Sequence, residues 1–352
     1  MKSLFSLFVC FVTSAIGVFA QSLEIHHISV GAGDASLIVQ RNVDSLRRRV
    51  DAKAGVGVIV DMDLLRYALD SCINLGGTIS KVIMVDMGTA NARTSIPTYI
   101  KEVGVTKLDY ITVSHYHEDH IGCAANIIKP GTTIYDRGTA YHPTGAIYNT
   151  YHKKAPNSTT ATIGTAITLT PVSTGITENI VMTCVAANKN VQGLAKAITE
   201  GTSENDYGLA WLLTYGKFRY FTGGDLGGVD HAPYVDVESS VAKAVGHVCA
   251  MKINHHGSQH SSNPAFLDSL RPKSCVISCG TRYSHPTMQA LANIMRVNSV
   301  INKTHPGYDY IYVIRDTNVA TQSAFVTLKH TNHIMMGGTK QPITIIPTTI
   351  CH

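Results

Sequence analysis

Three imidazoles and a carboxylate fall within six residues in the stretch Ser114-His115-Tyr116-His117-Glu118-Asp119-His120-Ile121-Gly122. Imidazole with carboxylate, and no thiolate, is a donor set for zinc, with manganese and iron also accommodated. An apolar run, Leu108 to Val113, precedes the stretch and reads as a buried strand, and Cys123 to Ile128 reads as the first turns of a helix. The four donors thus sit at a strand-to-helix junction, where side chains converge without breaking a core. His115 and His117 are two apart and point the same way if strand geometry persists. Asp119 and His120 follow after the chain turns and aim at a second, nearby point. That layout suits two adjacent divalent ions.

Further donors recur where other apolar runs end. Asp225 lies between Gly223-Gly224 and Gly227-Gly228, and glycines permit close approach of a carboxylate that bridges two cations. His255 and His256 follow Val248 to Ile253, and His285 follows Ser274 to Ser278. Adjacent strand side chains face opposite ways, so one of His255 and His256 is expected to be a ligand while the other faces substrate. Two ions about 3.5–4 Å apart would hold a hydroxide between them as nucleophile. Asp119, His255 and His285 are then the candidates for catalytic roles, the two histidines donating hydrogen bonds to an oxyanion or leaving group.

These residues need a frame. Leu23 to Val30 and Ala35 to Val39 read as strands joined by the tight turn Gly31-Ala32-Gly33-Asp34. Residues 41–56 read as a loop, and 61–76 as a helix capped by Asp61-Met62-Asp63. Val82 to Asp86 is a strand and 95–104 a helix. Residues 139–165, rich in Thr, Ala, Asn and Pro, read as a long surface excursion. Strands are expected at 166–170, 180–185, 209–214 and 218–222, the last two a hairpin through Tyr215-Gly216-Lys217. Strands at 248–253 and 274–278 alternate with helices at 237–246, 263–270 and 287–297, and strand-like runs close the chain at 310–314 and 324–328. Hairpins and strand–helix units in both halves imply two sheets packed face to face with helices outside.

The chain has 352 residues, enough for one large domain or two small ones. Its formal charge of +5 is compatible with phosphate-bearing substrates, and no Lys/Arg run exceeds Arg47-Arg48-Arg49, which argues against a nucleic-acid-coating surface. Lys2, the apolar run from Leu4, and small residues up to Ala20 have the pattern of a signal peptide cleaved before Gln21. No other stretch could span a membrane, so a secreted, periplasmic or extracellular protein is expected. Beyond that leader lie seven cysteines, an odd number with no zinc-finger spacing. Cys249 and Cys275 read as buried small hydrophobes.

The signature His115 to Gly122 resembles the HxHxDH motif of the metallo-β-lactamase superfamily. More closely, the chain resembles the metallo-β-lactamase-like domain of ComEC-type competence DNA-uptake proteins. The matching pieces are Val30-Gly31-Ala32-Gly33-Asp34-Ala35, Val85-Asp86-Met87-Gly88, Leu108-Asp109, Phe221-Thr222-Gly223-Gly224-Asp225, Lys252 to Ser258, and Pro272 to Pro286. The resemblance implies an α+β fold, the four-layer αββα sandwich, over 21–352, with insertions around 41–80 and 139–165. It implies that His115 and His117 hold one metal, that Asp119, His120 and His256 hold the other, and that Asp225 bridges them. Asp34 is a candidate behind the ligands, and an ordinary turn Asp fits it as well. Many superfamily members carry another His between signature and bridging Asp. No His lies between His152 and His231 here, and Asn205 takes the matching place, as in ComEC-like proteins.

The function this implies is an exported hydrolase of phosphoesters, with a small-molecule or nucleic-acid substrate and two divalent ions, zinc first. A β-lactamase or lactonase, which usually keeps the additional His, is the alternative enzyme. A catalytically weak metal-binding module is the non-enzymatic alternative.

Overall fold

The computed structural model describes residues 21–42, 78–172, 177–280, 283–297, 299–303, 309–316 and 324–331. The expected leader, the helix at 61–76 and nearly all of the 41–56 loop lie outside the described residues. In chain order the strands are β1 (Gln21–His27), β2 (Ser36–Asn42), β3 (Thr78–Val85), β4 (Tyr110–Thr112), β5 (Thr133–Asp136), β6 (Thr159–Thr160), β7 (Ala166–Leu169) and β8 (Ile180–Ala187). They continue with β9 (Asn190–Val191), β10 (Ala210–Tyr215), β11 (Phe218–Thr222), β12 (Ala250–Lys252), β13 (Ser274–Ile277), β14 (Val300–Lys303), β15 (Asp309–Asp316) and β16 (Ala324–Thr331). One sheet runs β16-β15-β1-β2-β3-β4-β5-β6, and the other β14-β13-β12-β11-β10-β8-β7 with β9 beside β8.

Strand alternation separates three apolar layers. Leu37 and Val39 of β2, with Val82 and Met84 of β3, face Ile96 and Tyr99 of helix Ser95–Glu102. Their neighbours Ile38, Ile83 and Val85 face the other way, against Met182, Trp211, Leu213 and Tyr220 of the second sheet. Phe221, Met251 and Ile277 on that sheet's far side meet Val241, Phe266, Leu267 and Ile294 from helices Glu238–Val245, Pro264–Leu270 and Met288–Arg296. Helix, sheet, sheet, helix is the expected four-layer order. Trp211 at 1% exposure contributes about 2–3 kcal/mol or more by burial in the middle layer.

Local chemistry sets the helix boundaries. Asn263 accepts a hydrogen bond from the Phe266 amide at 2.8 Å, and Pro264 opens the helix that follows. Thr287 caps the next helix by accepting from the Ala290 amide. The excursion expected at 139–165 differs from the expectation: Ala146–Lys154 is a helix. Polar residues hide it in the sequence, because only Tyr148 and Tyr151, three apart, are buried, with Ile147 packed partly against the core. Its basic last turn, His152-Lys153-Lys154, suits the carbonyl end of the helix.

Cys123 and Cys184 are free and buried, and Cys275 and Cys279 are buried. Cys249, read from the sequence as a buried thiol, is buried but disulfide-bonded. No described helix is long and apolar enough to cross a membrane.

Candidate metal centre

The parallel strands deliver the site. β3 and β4 run parallel in one sheet, and β11, β12 and β13 run parallel in the other. The chain leaving each C-terminal end carries a polar group to one edge: Asp86 after β3, Ser114 and His115 after β4, and Asp225 after β11. His255 and His256 follow β12, and His285 follows β13. The β1–β2 turn adds Asp34, whose amide donates to the Asp119 carbonyl.

Two glycines allow these loops to touch. A Cβ on Gly224, at φ +57°, would lie 2.5 Å from the Ser114 hydroxyl, and one on Gly33 would lie 2.5 Å from the Asp119 carbonyl. Both distances are shorter than side-chain contacts permit, so only glycine lets the loops close.

Asp34, His120, Asp225 and His256 are all buried and offer ligand atoms within 4.8 Å of one another. His120 Nε2 lies 3.3 Å from Asp225 Oδ1, and His256 Nε2 lies 3.2 Å from both Asp225 Oδ2 and Asp119 Oδ2. The distal nitrogens are fixed elsewhere. His120 Nδ1 is 2.8 Å from Asp86 Oδ2, and His256 Nδ1 donates to the Ser278 carbonyl at 2.8 Å. Each ring therefore presents Nε2 to the cluster, the orientation a metal ligand needs. His120 Nε2, His256 Nε2 and Asp225 Oδ1 are buried without a well-formed hydrogen bond. Uncompensated buried polar atoms cost about 1–3 kcal/mol each, and a cation between them removes that cost.

The electrostatics point the same way. Burial opposes charge on His120, but Asp225, Asp86 and Asp119 outweigh it and hold the imidazole well above its ordinary pKa. Burial likewise opposes charge on His256, yet Asp225 and Asp34 raise it to about 10. Asp225 is disfavoured as an anion by burial but held well below the carboxylate range by His256 and His120. The carboxylates thus outbid desolvation for positive charge, and a divalent ion answers that demand. One cation is already present: the buried Lys252 ammonium pairs with Asp34 and donates to the Gly224 carbonyl at 2.8 Å.

His115 and His117 form a neighbouring pair, His115 Nε2 lying 3.0 Å from His117 Nδ1. The His115 ring sits 4.1 Å from that of His120, and His117 is exposed to the cavity. Burial, then His120 and His117, hold His115 well below its ordinary pKa. Behind them Tyr116 anchors the signature loop. Its ring packs on Tyr148 of the unexpected helix, its hydroxyl donates to the Gly138 carbonyl, and its amide donates to Glu204. Arg137 holds that same Glu204 carboxylate and covers the Tyr116 ring at 4.6 Å.

The structure brings Asp119, His120, Asp225 and His256 together and sets the His115–His117 pair beside them. The Asp34 carboxylate pairs with Lys252 and lies 3.8 Å from His120 Nδ1 and 3.6 Å from His256 Nδ1, on the sides of the two rings turned away from Asp225 and Asp119. Of the two adjacent histidines, His256 enters the cluster and His255 lines the cavity, for a different reason than strand alternation. Both occupy left-handed backbone, φ 49° and 54°, in a short turn after β12. Asn205 lies beside His255, its amide nitrogen 3.3 Å from His255 Nε2, and its buried carbonyl oxygen has no partner. His285 lies 6.0 Å from His255 ring to ring. Asp86 and Lys252 carry no assigned role in the sequence reading. Asp86 ends a strand as Asp225 does, which is a usable signal, whereas Lys252 looks like an ordinary lysine in an apolar run.

Residues 75–156 match the family model of the metallo-β-lactamase superfamily, a segment that contains Asp86 and the whole 115–120 signature. The chain is 24% identical over 202 residues to ComE operon protein 3 of Bacillus subtilis, a match covering 56% of this chain and 24% of that relative. It therefore spans about a quarter of that relative's length. Among solved structures, the metallo-β-lactamase fold protein YhfI of Bacillus subtilis aligns with TM-score 0.45 and 12% identity, over 82% of this chain and 99% of the other. CmlA, a diiron β-hydroxylase from Streptomyces venezuelae, aligns with TM-score 0.42 and 11% identity, over 85% and 55%.

Proposed function

We propose that this chain, whose signature segment matches the metallo-β-lactamase superfamily, is an exported metal-dependent hydrolase of phosphoesters, above all phosphodiesters. The observation that carries the reading is the convergence of His120 Nε2, His256 Nε2 and Asp225 Oδ1, buried and lacking hydrogen bonds, beside a cavity of about 850 Å³. The motif resemblance to ComEC-type domains supports the phosphoester, and the leader-like N-terminus supports export.

His120, His256, Asp119 and Asp225 would hold one divalent ion, and His115 and His117, with Asp225 shared, a second. Zinc is the first candidate, with manganese and iron as alternatives. Ions bound there would polarise a phosphoryl oxygen and make a water acidic. The chain's own groups do the rest. Asp86 and the Ser278 carbonyl fix the tautomers of His120 and His256. Asp119 reaches the cavity from the same cluster. His255 and His285 line the same cavity and donate hydrogen bonds to charge developing on substrate oxygens. Asn205 orients the His255 ring.

The test is turnover by the purified mature chain, loaded with Zn²⁺ or Mn²⁺. The substrates are bis(p-nitrophenyl) phosphate, single- and double-stranded DNA and choline phosphoesters, with nitrocefin as comparison. Phosphodiester turnover should fall at least a hundredfold on chelation and in His117→Ala. Activity surviving both, or nitrocefin turnover alone, sinks the proposal.

A further inference from the structure

Five ring side chains, His260, Tyr234, His255, His285 and Tyr283, follow one another along the cavity, and the proposed chemistry uses only two of them. His231 stacks on His260 with centroids 6.0 Å apart and planes within 6°. His260 stacks on Tyr234 at 4.6 Å. Tyr234 meets His255 at 5.8 Å, His255 meets His285 at 6.0 Å, and His285 meets Tyr283 at 6.0 Å. The row spans three separate loops, those after β11, β12 and β13, so sequence proximity does not explain it. Tyr283 remains 53% exposed, a large ring turned partly to solvent at the mouth. Asn91, Glu118 and Asp119 also line the cavity, and among the described residues no lysine or arginine does.

Rings in series at a cavity wall offer stacking area for a flat, uncharged group. We propose that the row of rings from His260 to Tyr283 is a subsite for a planar ring carried by a nucleotide-sized phosphoester, a substrate with one phosphoryl group at the metal cluster and one base or aryl ring on that row. The proposal rests on the phosphoesterase reading and names the substrate class of that site. A long nucleic acid is the competing occupant.

Equilibrium dialysis of the Zn²⁺-loaded full chain tests it without requiring turnover. The probes are adenosine 5′-monophosphate and ribose 5-phosphate, which share a phosphate and differ by the base. The base should tighten binding by about tenfold or more, the effect of one stacking ring. Tyr234→Ala and His260→Ala should lower that ratio, while Tyr234→Phe should keep it. Equal affinities for the two probes overturn the inference. So does a decathymidylate that binds more than tenfold tighter than adenosine 5′-monophosphate, which would make the occupant a polymer. Base-dependent binding with no phosphodiester turnover would leave the subsite standing and remove the phosphoesterase. Turnover without base dependence would do the reverse.

Discussion

Asp86 is where one residue does most for the site without facing the cavity. Its carboxylate accepts from the Ser114 amide and hydroxyl, both at 2.7 Å, and lies 2.8 Å from His120 Nδ1. It sets the ring that presents Nε2 to the cluster and holds the first residue of the signature loop. Replacing such an orienting partner typically costs ten- to a hundredfold in metal affinity. Asp86→Asn should therefore weaken Zn²⁺ binding by about that factor in chelator competition, with the circular dichroism spectrum retained. Unchanged affinity would make the contact incidental. The residue scale is also where sequence reading reached its limit. His120, Asp225 and His256 were legible because each follows an apolar strand and is of ligand type. Asp34 sits in a glycine turn, where Asp is common, so the sequence alone leaves its role open. Lys252 was invisible, since only the fold brings it to Asp34.

Among the elements, helix Glu238–Val245 is tied to the site by its first side chain. Glu238 accepts from the amides of Ser262 and Asn263 and from the Asn254 side chain, which binds the helix to the chain flanking His255 and His256. Burial outweighs these donors and pushes its carboxyl up to about 7. Folded Glu238 therefore keeps its proton up to about pH 7, while an unfolded glutamate releases it near 4.5. The native state binds more protons between those values, so this contribution is complete below about pH 4.5 and is lost as pH rises through 7. The loss amounts to roughly 3 kcal/mol. Asp206, raised to about 7 chiefly by burial, acts in the same direction. Urea midpoints measured from pH 4.5 to 8 should show the decline. Glu238→Gln should flatten Glu238's share while lowering stability at acidic pH by about 1–3 kcal/mol, because one amide loses its acceptor. A variant with the parent's pH profile would refute the assignment. The elements themselves were largely readable, since the continuous apolar runs in β2, β3 and β10 mark strands buried on both sides. The helix Ala146–Lys154 was not, because two inward tyrosines are too few to make a visible stripe.

Over the whole molecule, metal and fold should be linked, because the cluster draws from both sheets. Asp119 and His120 come from the first, and Asp225 and His256 from the second. Unfolding scatters these donors, so an ion that binds only the native chain stabilises it. At a hundred times its dissociation constant, Zn²⁺ should add about 2.7 kcal/mol. A thermal melt should rise by several degrees with the ion and fall back with chelator. An unmoved melting temperature would mean that the cluster does not take zinc. The segment matching the family model, 75–156, supplies only part of this donor set.

The loops are also joined backbone to backbone. The Asp34 amide donates to Asp119, Met87 to His120, Leu209 to Ser114, and His255 to Gly224. Each bond runs from one strand-end loop to another, so none can break by the fraying of a single segment. In deuterium exchange these four amides should be protected alike and released together, at a free energy near that of global unfolding. The pocket would then not breathe independently of the core, and substrate would meet a vessel already set in its final shape.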